Sequence, residues 1–444
     1  MRIVLSAAFL FSLCFVEVGL LNRTARAEEG APGSLQSDGR ILSYPRPDNL
    51  NHPSRWRYFP PERIVEGNVF KRFLISSFIS PILFRDSDVG TGGGIALTDI
   101  DFREQRRQEF AGIFLSYTTE GQQNYSFVWR RWLERLELPN GGVLQEERSH
   151  FTLRGGYRRT LTRRFFGFGD ETQEEDESSY TDETFFIAAH LQRSIPEPGD
   201  NLVLDGGVRL ETHRLFGGQV SGVPDTKVAF SEDFADADTR DLLWLNFGVR
   251  WDTRDSQVNP YRGWALGSNM SQAVLQNGGG FGGVYGAFAT VVLPVPALAY
   301  AAKFSGEENP PTDTLALIAE VQTSEGELPF FARPSLGGSD RQRGYIGNRW
   351  TGDSLWFAAA EHRIWLLPRG FRIDERIRIE RVGVATFYEL GSVASSLGDL
   401  APASVKQSYG LGLRFTLERS APFRVDLGFS EEDVNLSFRF GLSF

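Results

Sequence analysis

Asn435-Leu436-Ser437-Phe438-Arg439-Phe440-Gly441-Leu442-Ser443-Phe444 closes the chain, and its alternation is unbroken. Leu436, Phe438, Phe440, Leu442 and Phe444 are apolar, whereas Asn435, Ser437, Arg439, Gly441 and Ser443 are polar or small. A period of two puts the sets on opposite faces of a β-strand, so one face meets an apolar medium and the other a polar one. The same split sets Tyr409, Leu411, Leu413, Phe415 and Leu417 against Gly410, Gly412, Arg414, Thr416 and Glu418. It recurs in Leu243, Leu245, Phe247, Val249 and Trp251, and again in Leu202, Leu204, Val208 and Leu210. A soluble sandwich alternates too, but three features favour a membrane. The segments run about ten residues, the length a tilted strand needs to cross hydrocarbon. Charges recur in mid-strand on one face, which a polar lumen tolerates and a dry sandwich core does not. The chain also stops on an aromatic residue inside a strand, where a soluble protein would fray.

Working back from this end, roughly sixteen such segments follow, with boundaries good to about 2–4 residues. They start near Phe73, Thr91, Gln108, Gln123, His150, Asp182, Asn201, Asp241, Gly263, Phe281, Thr314, Ser354, Ile377, Gln407, Phe423 and Asn435. With both termini in the periplasm, odd-to-even connections face outward. The longest gaps, 160–181, 214–240 and 325–353, are all of that kind, while most even-to-odd links are short, as at 418–422. The link 294–313 is an exception. Long loops outside and short turns inside are the asymmetry of an outer-membrane barrel. The expected fold is therefore all-β: a transmembrane antiparallel barrel of about sixteen strands in the outer membrane of a diderm bacterium. Trp251, Trp264 and Trp365 fall at periplasmic strand ends, as an interfacial girdle or as ordinary aromatic packing.

The front of the chain reads differently. Arg2, an apolar run from Ile3 to Leu21, and Ala25-Arg26-Ala27 have the layout of a secretory signal peptide over residues 1–27. Glu17 interrupts the run, which argues against a membrane anchor. Residues 28–72, rich in Pro, Asn and Arg, read as an extended periplasmic lead-in to a barrel over 73–444. The one cysteine of the 444-residue chain, Cys14, lies in the signal segment, so neither disulfides nor thiolate metal sites are expected in the mature protein. A net charge of −10 without a basic run makes nucleic acid a poor partner. Lysine is confined to Lys71, Lys227, Lys303 and Lys406; the remaining positive charge is arginine, whose fixed fork suits ion pairs in a polar lumen.

Between the eleventh and twelfth segments stands Leu336-Gly337-Gly338-Ser339-Asp340-Arg341-Gln342-Arg343-Gly344-Tyr345, flanked by Phe330-Phe331 and Trp350 and followed by Glu361 and Arg363. Aromatic residues with a glycine pair equip this outer loop to fold back as a compact plug. Here the chain resembles the bacterial surface-antigen barrels, which include the BamA and TamA assembly proteins and the two-partner secretion transporters. Gly337-Gly338 through Arg343-Gly344-Tyr345 is similar to that family's R-G-[FY] loop-six motif. Phe387-Tyr388-Glu389-Leu390-Gly391 is similar to its F-x-D-x-G motif, with Glu in place of the usual Asp. Trp251-Asp252-Thr253-Arg254-Asp255 with Pro260 and Gly263 resembles its D-x-R-D turn, and 409–444 its closing strands.

The resemblance implies that loop six enters the lumen, that Arg343 pairs with Glu361, Glu389 or both, and that Phe440, Leu442 and Phe444 act as a C-terminal barrel signal. It implies insertion or translocation of proteins or lipids at the outer membrane, through a seam between the first and last strands. Pro81 in the first segment, lacking a ladder donor, suits a weak edge. Residues 28–72 are too few for a POTRA module, which places the chain in a barrel-only branch whose clients reach it through a periplasmic partner. Outer-membrane lipid and lipopolysaccharide are its surroundings. The rival readings are a passive channel or structural barrel, and an enzyme.

Little supports the enzyme. His52, His150, His190, His213 and His362 lack metal-ligand spacing, and no G-x-S-x-G occurs. A lipase site from His362 and Ser354 would lack an orienting carboxylate on its face. Gly90–Gly94 and Gly278–Gly283 are not followed by Lys-Ser/Thr and a helix, so they read as strand-edge glycines. The acidic loop Asp170, Glu171 and 174–177 misses calcium-loop spacing and reads as a solvated face. No catalytic residue, metal or cofactor is expected.

Overall fold

The computed structural model describes residues 32–33, 36, 39–61, 64, 67–70, 84–86, 90–278, 280–301, 306–372, 378–417 and 421–444. The expected signal peptide and most of the first expected strand, Pro81 included, lie outside the described residues.

Sixteen strands form one antiparallel sheet in which each strand neighbours the next along the chain. We number them β1 (Phe84–Asp86), β2 (Gly90–Asp99), β3 (Glu109–Thr118), β4 (Gln123–Trp132), β5 (His150–Phe165), β6 (Ser178–Ile195), β7 (Leu202–Gly217) and β8 (Thr239–Asp252). The second half comprises β9 (Gly263–Gln276), β10 (Gly282–Val295), β11 (Asp313–Gly326), β12 (Ser354–Leu367), β13 (Arg381–Ala394), β14 (Lys406–Thr416), β15 (Pro422–Phe429) and β16 (Val434–Phe440). The chain forms a transmembrane β-barrel in which alternation sorts side chains by solvent. Leu204, Val249, Leu411 and Leu413 stand exposed on the outer face for lipid to cover, while Glu109, Asp252, Glu361, Glu389 and Asp426 are fully buried. Among the described residues no helix is long and apolar enough to cross a membrane.

The sheet departs from the expected ten-residue segments. From β5 to β13 the strands have 14 to 18 residues, against seven in β16. Alternating hydrophobicity marks only the part of a strand that lipid covers. The central strands run past it, and loops rather than lipid bury their outer ends. There Phe165, Tyr180 and Leu215 pack with Phe330 of loop six and with Phe234 and Ala237. The last two lie on the short helix α2 (Ser231–Ala237), which follows α1 (Thr226–Ala229) in the β7–β8 loop.

At the other end the lead-in is ordered onto the barrel. Trp56–Phe59 pairs antiparallel with Val143–Glu146, which in turn pairs with Arg135–Glu137 from the same β4–β5 connection. Trp56, Tyr58 and Leu144 make a small core there, with Tyr44 stacked on Tyr58 at 4.1 Å.

The final strand needs a correction. The alternation to Phe444 predicts one strand over 435–444, but the ladder with β15 ends at Phe440. Gly441, at φ +88°, turns the chain out of the sheet. Ser443 Oγ then lies 3.2 Å from Glu361 Oε2, and the Phe444 carbonyl accepts from Arg363 Nη2 at 2.9 Å. Gly441 accepts a backbone angle that an L-residue avoids, and the lumen offers Phe444 apolar packing and a cation. Phe440 alone of Phe440, Leu442 and Phe444 stays in the strand, with 71% of its surface exposed. Of the three tryptophans at strand ends, Trp365 takes the packing alternative. Trp251 and Trp264 are exposed, but Trp365 is buried, with Nε1 donating to the Thr312 carbonyl at 3.1 Å, so it packs within the barrel end.

Candidate functional site

Loop six, residues 327–353 between β11 and β12, folds into the barrel and ends on a buried arginine. A glycine pair shapes the descent: Gly337 and Gly338 hold φ +106° and +105°. The Gly337 N–H donates to the Arg341 carbonyl at 3.2 Å and the Gly338 N–H to the Tyr345 carbonyl at 3.0 Å. Two backbone bends in the left-handed region at successive positions are open to glycine and strained for other residues. Leu336, Tyr345 and Trp350, all fully buried, pack with Leu355, Phe357 and Val393 of the wall and anchor the loop above its tip.

The tip meets the wall in a network of charges. Arg343 Nε donates to Glu389 Oε1 at 2.7 Å and Nη1 to Glu361 Oε2 at 2.8 Å; the backbone N–H donates to Glu389 Oε2 at 2.6 Å. Nη1 also reaches Asp426 Oδ2 at 3.1 Å, and the guanidinium lies 3.5 Å from the Phe387 ring centroid. Burial opposes the charge on Arg343, but Glu389, Glu361 and Asp426 outweigh it and hold the guanidinium protonated above its ordinary range. The acids are shared. Glu361 also accepts from Arg363 and Arg414, each at 2.8 Å, and Asp426 from Arg414 and Arg424, each at 2.6 Å. Glu389 has Ser408 Oγ at 2.8 Å. Such a cluster is stable because partners of opposite sign offset the cost of desolvation; removing one leaves a buried charge uncompensated.

The backbone of the tip presses on the last strands. A Cβ on Gly344 would collide with the Phe429 carbonyl, and one on Gly428 with the Arg343 carbonyl. Ser430 Oγ donates to the Gly344 carbonyl at 3.0 Å and Asn435 Nδ2 to the Arg343 carbonyl at 3.2 Å. Farther up, Arg341 pairs with Glu320 of β11, and Arg349 with Glu432 of the β15–β16 turn at 2.6 Å. Loop six is thus fastened from β11 through β16.

The profile of the Omp85 superfamily domain matches residues 109–444. The chain belongs to the Omp85 superfamily. No curated protein matches it. Similar solved structures include BamA from Haemophilus ducreyi lacking POTRA domains 1–3, at 14% identity over 80% of this chain and 68% of that one, with a TM-score of 0.48. CdiB from Acinetobacter baumannii is similar at 15% identity, 80% and 57% coverage and TM-score 0.45. CdiB from Escherichia coli is similar at 12%, 81% and 60%, and 0.47. The chain spans less than two thirds of either CdiB chain. As an Omp85 barrel it is an outer-membrane protein of Gram-negative bacteria.

Other singled-out residues of this Omp85 barrel have structural partners. Asp252 accepts from Arg254 Nε and Nη2, each at 3.0 Å, and Asp255 Oδ1 accepts from the Tyr261 N–H at 3.0 Å, which shapes the β8–β9 turn. His362 and Ser354 lie eight positions apart on β12, ~26 Å at strand rise, so they form no dyad. Asp170 accepts from the Ser404 N–H at 2.6 Å and Glu177 pairs with Arg164 at 2.6 Å. Among the described residues no group of three or more His, Cys, Asp or Glu is arranged to hold a metal ion. The sequence reading missed Asp426, Arg414 and Arg424 as clamp members. Their signal was a charge on the polar face of an alternating strand, and many strands share it.

Proposed function

We propose that this barrel inserts or translocates polypeptides at the outer membrane, and that loop six couples the lumen to the closing strands. Superfamily membership gives the general role, membrane-protein biogenesis or translocation. The observation that carries the specific reading is the Arg343 clamp, which holds one loop on the acids of β12, β13 and β15 while its backbone lies on Phe429 and Asn435. In this reading a weak seam between β1 and β16 opens to offer backbone donors and acceptors to an incoming strand. The shortness of β16, seven residues, supports such an edge. Phe440, facing lipid at the end of that strand, serves as the barrel signal. A periplasmic companion delivers clients, and affinity purification from solubilised outer membrane should recover it.

Arg343→Ala provides the test. The variant should insert and migrate as a folded barrel on unboiled gels, yet lose support of outer-membrane protein levels in cells. Full support with the clamp removed would sink the reading. Steady conductance of the wild-type protein in planar bilayers, widened by Arg343→Ala, would instead assign a passive channel.

A further inference from the structure

The lead-in crosses the periplasmic mouth. On one side Trp56–Phe59 adds a strand to Val143–Glu146 of the β4–β5 connection. On the other, Leu42 bridges Glu307, the Ser43 N–H donates to the Gly306 carbonyl at 2.8 Å and the Glu308 N–H donates to the Ile41 carbonyl at 3.0 Å. Those residues belong to the 296–312 link between β10 and β11, one of two equally long inner connections; the other, 133–149, carries the first anchor. Strands β5 to β10 separate the two anchor points in the sheet. Between them Arg55 Nη2 donates to Asn201 Oδ1 at 2.6 Å on the β6–β7 turn. Gly306, Glu307 and Glu308 thus meet the strap.

The strap is held in a way that permits exchange. Its ladder has four residues, against 14 or more in the central strands, and short ladders are marginal by themselves. Side chains occupy its outer edge. Arg46 Nε donates to the Trp56 carbonyl at 3.0 Å, the Tyr58 N–H donates to Glu308 Oε1 at 3.4 Å, and Arg46 pairs with Glu308 at 3.1 Å. No further strand can join there, so the hairpin edge is gained only by displacing the strap. Trp56 and Tyr58 alternate with Arg57 and Phe59 and bury their rings with Leu144. The strap thus sets two aromatic residues at alternate positions on that face, as Phe438 and Phe440 stand in β16, while Phe59 is buried as well.

We propose that residues 41–59 stand in for a client: they close the periplasmic mouth, and an extended polypeptide with aromatic residues at alternate positions enters by taking the Val143–Glu146 edge in their place. The client half of this proposal rests on the translocation reading above; the lid half does not. Thr290 on β10, 5% exposed, lines a cavity of about 370 Å³ with Phe444 and with Arg254 and Gln257 of the β8–β9 connection, at the strap's end of the barrel, and serves as the labelling site. The experiment uses full-length protein in detergent with Cys14→Ser and Thr290→Cys, gel migration serving as the control for folding. A polymer-tethered maleimide should label slowly. Arg46→Ala with Glu308→Ala should speed labelling about tenfold, the effect of losing a charge-assisted bond. An unchanged rate would overturn the lid. A synthetic peptide with the sequence of residues 54–61 should also speed labelling, and the same peptide with Ser replacing its Trp and Tyr should not. If neither or both peptides act, the edge-exchange half falls, whereas the translocation reading is decided separately by Arg343→Ala.

Discussion

At the residue scale the clamp depends unequally on its members. Without Arg343, Glu361 keeps Arg363 and Arg414, and Asp426 keeps Arg414 and Arg424, but Glu389 keeps only the neutral Ser408 among the hydrogen bonds described. Breaking a buried pair from one side costs about 3–5 kcal/mol. Arg343→Ala should therefore free loop six, seen as new protease cleavage within 336–350, and adding Glu389→Gln should restore part of the protection. Rescue by Asp426→Asn instead would show that the orphaned charge is elsewhere. Gly344→Ala tests packing without touching charge. Its Cβ meets the Phe429 carbonyl, which belongs to a ladder and cannot swing away, so the loop should again become cleavable. Unaltered protection would mean that the strands yield. Arg343, Glu361 and Glu389 could be picked from sequence because the loop and β13 carry recognisable neighbours. Asp426 could not, since lumen-facing charges occur on many strands and a strand does not say which others it faces.

At the element scale, β16 separates periodicity from pairing. The alternation runs to Phe444, but strand pairing ends at Phe440; the Gly441 N–H makes the last bond to β15, to the Pro422 carbonyl at 2.9 Å, and the chain then turns into the lumen. The two aromatic residues should accordingly respond differently. Phe444→Ala removes packing on the loop-six core near Ile318 and should lower the temperature at which the folded gel band is lost, by the cost of a partly buried aromatic. Phe440→Ala removes a lipid-facing ring and should act on insertion yield with little effect on that temperature. Equal effects on both readouts would mean that the tail is an ordinary continuation of the strand. Trp365 illustrates the same limit, because a tryptophan near a strand end reads identically whether it points to lipid or, as here, inward toward Tyr261.

Across the whole molecule, two solvents set the pattern and two ends are closed by different means. Leu411, half exposed on the lipid face of β14, and Arg414, buried three positions on, illustrate the sorting. Leu411→Arg should cost about 2–4 kcal/mol near the bilayer midplane, measurable as a lower urea midpoint for folding into lipid vesicles. A shift no larger than that of Gln407→Arg, at the outer end of the same strand, would place Leu411 away from the midplane. The outer end is closed by aromatic packing among Phe165, Tyr180, Phe234 and Phe330, the inner end by the lead-in and the 296–312 link. The sequence by itself determined the strand count and the class of fold, because period-two alternation and turn residues are local properties that lipid and water read directly. It did not settle which connections are long, since β5 and β6 extend until 166–177 is shorter than the inner links 133–149 and 296–312. Only the tertiary structure decided which charges meet in the lumen, that the last four residues leave the strand, and that the lead-in is a strap. Those outcomes depend on contacts between segments far apart in the chain, whose energies no local pattern records.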